Sequence, residues 1–566
     1  MKKTSIYYKV SGLAVAALTL ASCTDTWDDH YDTVVQGDGT TIWQTIASSN
    51  SNMQNFKRVM ETTGYDVALN SSQVFTVFAP IDEVFTSSDA DRIINLYNQE
   101  KMQGTKDKDN RAIKEFVQNH IALYNHSVAK SGADSIVMMN GKYLVLTPEA
   151  LGSSPILTKN QQKSNGVLFT VGDQVKYSYN IFEYLSADQE IDSVGKFLTS
   201  YNEYEFNAKE SVPGGIIDGK TWYLDSVEVL QNKLFTEIGR INSEDSTYWM
   251  LAPTNEVWDS LVAEYTPYFT YDDMVAKRDS VQFAETRLAI LRGTVFSRTK
   301  NTDATIRDSA LSVNASTYAY RVYKDQSYYQ YDRPFDAGGV FSTAEFVPCS
   351  NGQVLKAADW LVDNRQTFFQ KIIVEGESRN YLDGVKETTT TNPVVKTVTS
   401  DNPFYNKVSQ NKFVLVGPTA SSAAEVRFKL PNLLSNIGYD IAVVFAPAVA
   451  EDTLAKANQR VPVKFQASIS YHLMDGKASA QCYLPENDST LRASRRTNFE
   501  TNPDKVDTVF LAKDIKFPTC SYGLDDTQVM LTLTTSLRAA EIQNETRTAN
   551  MRIDCIIVRP HEEDEE

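Results

Sequence analysis

The chain is poor in the residues that most often carry chemistry. Among 566 residues there are five Cys and five His. The histidines are scattered as His30, His120, His126, His472 and His561, so sequence neighbours assemble no metal-ligand cluster. Positive charge is also in deficit. Lys+Arg number 55 against 72 Asp+Glu, for a net charge of −17. Phosphate binding needs a basic face, so nucleic acid is not an expected partner. Long apolar runs are missing too. Val10–Leu20 is too short to span a bilayer as a mature helix, and no other segment approaches 18 unbroken apolar residues. No G-x-S-x-G, Walker loop, H-E-x-x-H or dinucleotide fingerprint stands in a strand–helix context. Carboxylates are plentiful, but no spacing singles out the flanking pair that glycoside hydrolysis requires. The sequence therefore reads as non-enzymatic, with no catalytic residue, cofactor or metal site assigned. What is present is ordinary globular material, 42% hydrophobic and 22% charged, which excludes wholesale disorder. The length implies roughly three or four domains, and 11% aromatics with 29 Tyr suit an extracellular, β-rich surface.

Lys2, Lys3 and Lys9 precede the apolar run, the pattern of a secretory signal. The run ends Leu20-Ala21-Ser22-Cys23, which resembles a bacterial lipobox. The resemblance implies cleavage before Cys23 and acylation of its thiol, with acyl chains as the membrane anchor. Removing residues 1–22, which hold three Lys and no acid, takes the charge from −17 to −20. The acidic stretch after Cys23 resembles surface-export signals of Gram-negative outer-membrane lipoproteins; it also reads as a plain solvated tether.

The sequence repeats itself. Phe75-Thr-Val-Phe-Ala-Pro-Ile-Asp-Glu-Val-Phe85 recurs as Tyr248-Trp-Met-Leu-Ala-Pro-Thr-Asn-Glu-Val-Trp258. Ala79/Ala252, Pro80/Pro253, Glu83/Glu256 and Val84/Val257 are identical. Each copy reads as a buried strand stopped by Pro and followed by a helix start, with Asp82 or Asn255 placed to cap it. Upstream, Thr41–Ile46 parallels Asn180–Leu185, each opening a helix. Downstream, Asn165-Gly166 parallels Asn351-Gly352, each a turn signal before an apolar strand.

These blocks resemble the fasciclin domain, whose signatures are a T-V-F-A-P-T-N-E-A-F-like strand and turn and an N-G-V-I-H-V-I-like strand. The resemblance covers roughly residues 38–365 and implies two domains, each a β-sandwich wedge flanked by helices. Copy two carries an insertion, residues 207–245, with turn-like Val212-Pro-Gly-Gly215 and Asp218-Gly219. His120 falls where the resemblance places a Tyr-His adhesion segment. It also shares a helical face with Ile113, Phe116, Val117 and Ile121. Copy two has Gly293 there, which favours a packed core histidine.

From about residue 366 the helical pattern fades. Lys371–Glu375, Val426–Leu430, Tyr439–Phe445, the alternating Val463–Leu473, Val529–Leu533 and Met551–Val558 read as strands of an antiparallel sandwich. The Thr-rich stretch from Glu387 to Ser400 reads as a loop. Leu430-Pro-Asn-Leu-Leu-Ser followed by Gly438-Tyr-Asp-Ile441 resembles jelly-roll carbohydrate-binding modules in shape. Cys555 is in phase with Ile553 and Ile557, as a buried thiol would be. An exported compartment allows disulfides, and Cys482–Cys520 is the first pair to test.

Two further features bear on function. Tyr318–Tyr331 is dense in tyrosine. It reads either as a hairpin with cross-strand tyrosines or as a ligand platform of Tyr328, Tyr329 and Tyr331, with Tyr329 and Tyr331 exposed on one face. Asp-Ser/Thr followed by a small or aliphatic residue or Thr occurs about eleven times, against roughly three expected. Ser135, Ser193, Ser226, Ser280, Ser309, Thr453 and Thr508 are among them. The triplet resembles an O-glycosylation acceptor of one phylum of Gram-negative gut bacteria; Asp-Ser turns are the structural alternative.

The expectation is an α+β chain: signal peptide 1–22, tether 23–37, fasciclin-like domains 38–178 and 179–365, an all-β jelly-roll-like sandwich 366–562 and an acidic tail 563–566. It is expected to be a lipid-anchored outer-membrane protein for adhesion or glycan capture. The alternatives are a scaffold binding other envelope proteins and a polysaccharide-degrading enzyme. The net charge favours a neutral glycan.

Overall fold

The computed structural model describes residues 38–128, 132–206, 212–217, 220–225, 228–298, 303–311, 330–420, 423–485, 496–524 and 529–562. Cys23, Tyr328, Tyr329, Asp218-Gly219 and Ser226 lie outside the described residues. Among the described residues, no helix is long and apolar enough to cross a membrane. The chain divides into two compact units, 1–179 and 180–566.

In the first unit, the run Phe75–Pro80 is a strand buried along its whole length. It is buried because neighbours cover its edges and both its faces. Antiparallel Ile121–Leu123 lies on one side and parallel Gly166–Val171 on the other. One face, through Phe75, Val77 and Ala79, packs on Phe56, Val59 and Phe116 of the helical layer. Phe78 on the other face stacks on Phe169, ring centroids 4.8 Å apart. A strand covered on both faces needs a continuous apolar run, which is what the sequence supplies. The sheet extends through Gly166–Val171 to Ser154–Lys163, Ala150–Leu151, Tyr143–Leu146 and, at its far edge, Asp134–Val137. Helix Ile42–Ala47 starts at Thr41, which closes a capping box with Gln44.

The second unit opens with a copy of this arrangement. Helix Ile181–Ala187 starts at Asn180, boxed with Glu183. Strand Tyr248–Pro253 has antiparallel Val295–Ser297 on one side and parallel Gly352–Ala357 on the other. Tyr248 pairs with Gly352 and Pro253 with Ala357, matching Phe75 with Gly166 and Pro80 with Val171. Both signature strands end at their Pro, as the repeat predicts. In the insertion, Val212–Ile217 pairs antiparallel with Lys220–Asp225, and Glu228–Asn232 pairs antiparallel with Asn202–Phe206 just before it.

The C-terminal part is an antiparallel sandwich of two six-stranded sheets. Gly438–Phe445 and Met551–Pro560 pair at the centre of one; Lys464–Ser470 and Met530–Thr535 pair at the centre of the other. Alternate residues Phe465, Ala467, Ile469, Leu531 and Leu533 meet Tyr439, Ile441, Val443, Ile556 and Val558 in a shared core. The molecule is thus α+β.

Copy two and the sandwich share one unit because polar and apolar contacts join them. Ser435 Oγ, fully buried, accepts from Thr270 N (2.9 Å) and donates to the Pro267 carbonyl (2.7 Å). Tyr271 Oη donates to the Tyr522 carbonyl at 2.8 Å, and Leu434, Cys520 and Tyr522 of the sandwich pack into copy two's core.

Four local expectations are corrected. Asp82 and Asn255 do cap helices, but not those that follow them. Asp82 accepts from the N–H groups of Gln54 and Asn55, and Asn255 from that of Ser193, so each caps an upstream helix brought alongside by the fold. Val212-Pro-Gly-Gly215 belongs to a strand rather than a turn. The Thr-rich stretch contains strand Val394–Thr397, which pairs with Lys412–Val416. Cys555 is a buried thiol as expected, although a register shift at Asp554 turns it away from the sandwich core. Cys349, Cys482, Cys520 and Cys555 are all free thiols, which rules out a Cys482–Cys520 disulfide in this structure.

Candidate functional site

Of the expected tyrosine platform the structure describes only Tyr331, and it does not stand exposed as expected. Strand Gln330–Asp332 pairs with Ser309–Leu311, and this pairing turns Tyr331 into copy two's core. Tyr331 is 2% exposed, with Phe296 edge-on at 6.0 Å. A ring held there cannot stack on a sugar.

His120 is a core residue. It is fully buried, its Nδ1 meets the Phe116 carbonyl at 2.7 Å, and its Nε2 accepts from Val175 N at 3.1 Å. Nδ1 is thus the protonated nitrogen. Burial pulls its pKa down to about 4, partly opposed by the Phe116 carbonyl. Neither nitrogen is presented to a partner.

Asn165-Gly166 and Asn351-Gly352 are clamps as well as turns. Asn165 Oδ1 accepts from Ile42 N (2.8 Å), while its Nδ2 donates to the Leu69 and Ser71 carbonyls (both 2.8 Å). Asn351 repeats this on Ile181 N (2.9 Å) and the Ile241 and Ser243 carbonyls (2.8 and 2.9 Å). Both side chains are 2% exposed. Gly166 and Gly352 sit at φ +133° and +141°, and a Cβ there would lie 1.9 Å and 1.7 Å from the carbonyl oxygen of Phe75 or Tyr248. Ala79 and Ala252, both fully buried, pack beside these strands. These six residues, with Pro80 and Pro253 at the strand ends, bond or pack within the fold.

Several Asp-Ser/Thr triplets are accessible. Ser135, Ser280, Thr453 and Thr508 are exposed, whereas Ser193 and Ser309 are half-buried.

The fold assembles one acidic cluster that is remote in sequence. Ligand atoms of Glu375, Asp554 and Cys555 lie within 4.8 Å of one another. Asp554 is 2% exposed, and its carboxylate receives the Ser409 N–H at 3.0 and 3.2 Å. Burial, reinforced by Glu375 and Glu377, pushes its pKa up to about 8, and the Ser409 N–H only partly offsets this. Glu375 and Glu377 are also raised by burial. The donor set mixes two carboxyl groups with a buried thiol, and burial favours the protonated form of Asp554 and Cys555, so the cluster reads as a protonated buried group rather than a ready cation site.

A second site lies between copy two and the sandwich, a cleft of about 1050 Å³. Strand Gly438–Phe445 brings Asp440 to its floor, where the carboxylate is 3% exposed. Asp440 Oδ1 accepts from His561 Nδ1 (2.7 Å) and Asp514 N (3.2 Å), and Oδ2 accepts from Arg559 (3.2 Å). Gly438 leaves room for this network, since a Cβ would lie 2.0 Å from Asp514 Oδ1. Two wall residues, Asn436 and Asp514, hold left-handed backbones at φ +59° and +51°, and such strain persists only where the surroundings impose it. Asn436 is tied to the Pro267 carbonyl at 2.9 Å. Tyr268 and Phe369, both half-buried, supply aromatic surface on the walls. Tyr268 stacks on Tyr265, whose hydroxyl donates to Asn364 at 2.7 Å. The cleft therefore combines ring faces with a fixed polar floor, the makeup of a saccharide site.

Sequence reasoning missed this site because its lining comes from stretches near 268, 363–369, 436–440, 513–516 and 559–562. The one local hint is a carboxylate beside a Gly-Tyr pair on an apolar strand. No expected site residue lies in it.

A fasciclin-domain family model matches residues 51–175. No curated protein matches the chain. Among solved structures, a fasciclin-domain pair of the insect cell adhesion molecule fasciclin I is 12% identical, covering 56% of this chain and 100% of that one, with a TM-score of 0.19. The C-terminal family 22 carbohydrate-binding module of a Clostridium thermocellum xylanase is 14% identical over 34% of this chain and 95% of its own, with a TM-score of 0.19. A family 35 module from the same organism is 7% identical over 33% and 97%, with a TM-score of 0.15.

Proposed function

We propose that this is a non-catalytic adhesion or glycan-capture protein, held by acyl chains on Cys23 at the outer face of a Gram-negative outer membrane. The observation that carries the capture reading is the cleft, which Tyr268 and Phe369 line together with the mutually bonded Asp440, Arg559 and His561. Rings take the apolar face of a sugar, and fixed donors and acceptors take its hydroxyls. The fasciclin domain of the first unit fits an adhesion role beside it. Asp440 is already engaged by three donors, which holds it as a fixed part of the cleft. A scaffold role remains the second reading, favoured by Val137, Tyr143 and Val145, which lie exposed on neighbouring edge strands of the first unit. A glycan array on the full chain tests the capture reading. Binding to at least one oligosaccharide, lost in a folded Tyr268→Ala variant, is the expected result. Silence across the array would leave the scaffold reading standing. Release of membrane-bound protein by Cys23→Ala tests the anchor.

A further inference from the structure

We infer that the cleft selects an acidic saccharide, one bearing a carboxylate as uronic acids do. This inference rests on the glycan-capture reading and specifies its ligand. The net charge of −17 argues the other way, so range decides the matter. At physiological ionic strength the Debye length is about 8 Å, and charges beyond the cleft are largely screened from a ligand inside it. What the ligand meets is the local set.

That set is unlike the rest of the chain. Arg365, Lys513, Lys516 and Arg559 stand exposed around the cleft, against exposed Asp363 and Glu562 and half-buried Asp514. The remaining acid, Asp440, is buried under Arg559 and His561. Asp363 also turns inward on its own chain, accepting from Arg365 N at 2.9 Å.

Two of these cations, Arg365 and Lys516, are loosely committed. Lys516 reaches Asp514 only at 4.0 Å and Arg365 reaches Glu562 only at 3.7 Å, and both pairs are solvent-exposed. Such pairs exchange readily for a better partner. Arg559 donates one guanidinium nitrogen to Asp440 and lies 5.4 Å from the Phe510 ring. Among the described residues, no other hydrogen bond holds its fork. A guanidinium fixed at one end and open along an edge matches a carboxylate in two parallel hydrogen bonds, which a hydroxyl cannot offer. Tyr268 would then take the ring face of the same sugar.

The experiment is calorimetric titration of the full chain with an oligogalacturonate and an oligoglucuronate, each paired with its carboxyl-reduced neutral counterpart. At least one acidic member should bind about tenfold or more tighter than its neutral partner, and the gap should narrow between about 50 and 500 mM salt. A folded Arg365→Gln/Lys516→Gln variant should lose this preference while keeping its weak neutral binding. Arg559→Lys keeps the charge on Asp440 but removes the fork, and should also weaken acidic binding. Neutral sugars that bind as well as acidic ones, in a manner lost in Tyr268→Ala, would overturn this inference and leave glycan capture intact. A sulfated oligosaccharide that outcompetes the uronates would overturn the carboxylate assignment. Failure of every oligosaccharide to bind would overturn both.

Discussion

The two fasciclin-like copies keep the same clamp in different surroundings. In each, an Asn side chain ties the first helix to a connecting segment by three hydrogen bonds and its backbone carbonyl holds the start of the signature strand, where the following Gly makes a strand pairing too close for a Cβ. Around the clamp they diverge. Copy one buries His120 between the Phe116 carbonyl and the Val175 amide. Copy two instead joins a sandwich through Ser435 and Tyr271. Residues fixed by backbone geometry persist through duplication, while residues that only fill volume or meet a neighbour change.

The two glycines of the clamp carry the largest expected effect. Gly166→Ala and Gly352→Ala each force a Cβ against a backbone oxygen that cannot turn aside, and should each cost about 4 kcal/mol or more in the unit that holds them. Denaturant unfolding of both variants checks this, and a cost at one glycine only would mean that the clamps are not equivalent. Asn165→Ala and Asn351→Ala come next. Each removes three hydrogen bonds and strands a buried amide and carbonyls, for about 3 kcal/mol.

The third test separates the copies by pH. His120 has a folded pKa of about 4 against an ordinary 6.5. The unfolded chain therefore binds a proton that the folded one does not throughout that window, and stability falls as pH falls through it. The first unit should lose about 1 kcal/mol by pH 5.5 and about 3 kcal/mol near pH 4. Copy two should lack this term, since the strand register places Thr294, rather than the expected Gly293, at the matching position. A pH series of thermal melts, with His120→Gln as the reference, should show it; identical acid slopes for wild type and variant would remove His120 from the account. Smallest is the seam. Ser435→Ala leaves the Thr270 amide unpaired and should cost about 1–2 kcal/mol. The expected sign of a loosened seam is faster amide exchange at Thr270.

The repeat was legible in sequence because its residues are demanded locally. Ala79-Pro80 and Ala252-Pro253 mark where a two-sided buried strand stops, and the Asn-Gly pairs mark close strand approaches. Asp82 and Asn255 were legible as caps but not as to which helix they cap, since the partners Gln54 and Ser193 arrive through tertiary contact. Tyr331 misled for the same reason, because a three-residue pairing with Ser309–Leu311 decides which way it faces. The cleft was illegible because its ring faces, floor and cations come from distant stretches that only the join of copy two to the sandwich brings together.

That join forms the cleft we propose as the capture site, and the most direct measurement is a crystal structure of the full chain with an oligosaccharide it binds. The account predicts sugar density in the cleft, with one ring against Tyr268 and polar contacts to Arg559 or Lys516. Sugar bound elsewhere, with the cleft filled only by solvent, would contradict it.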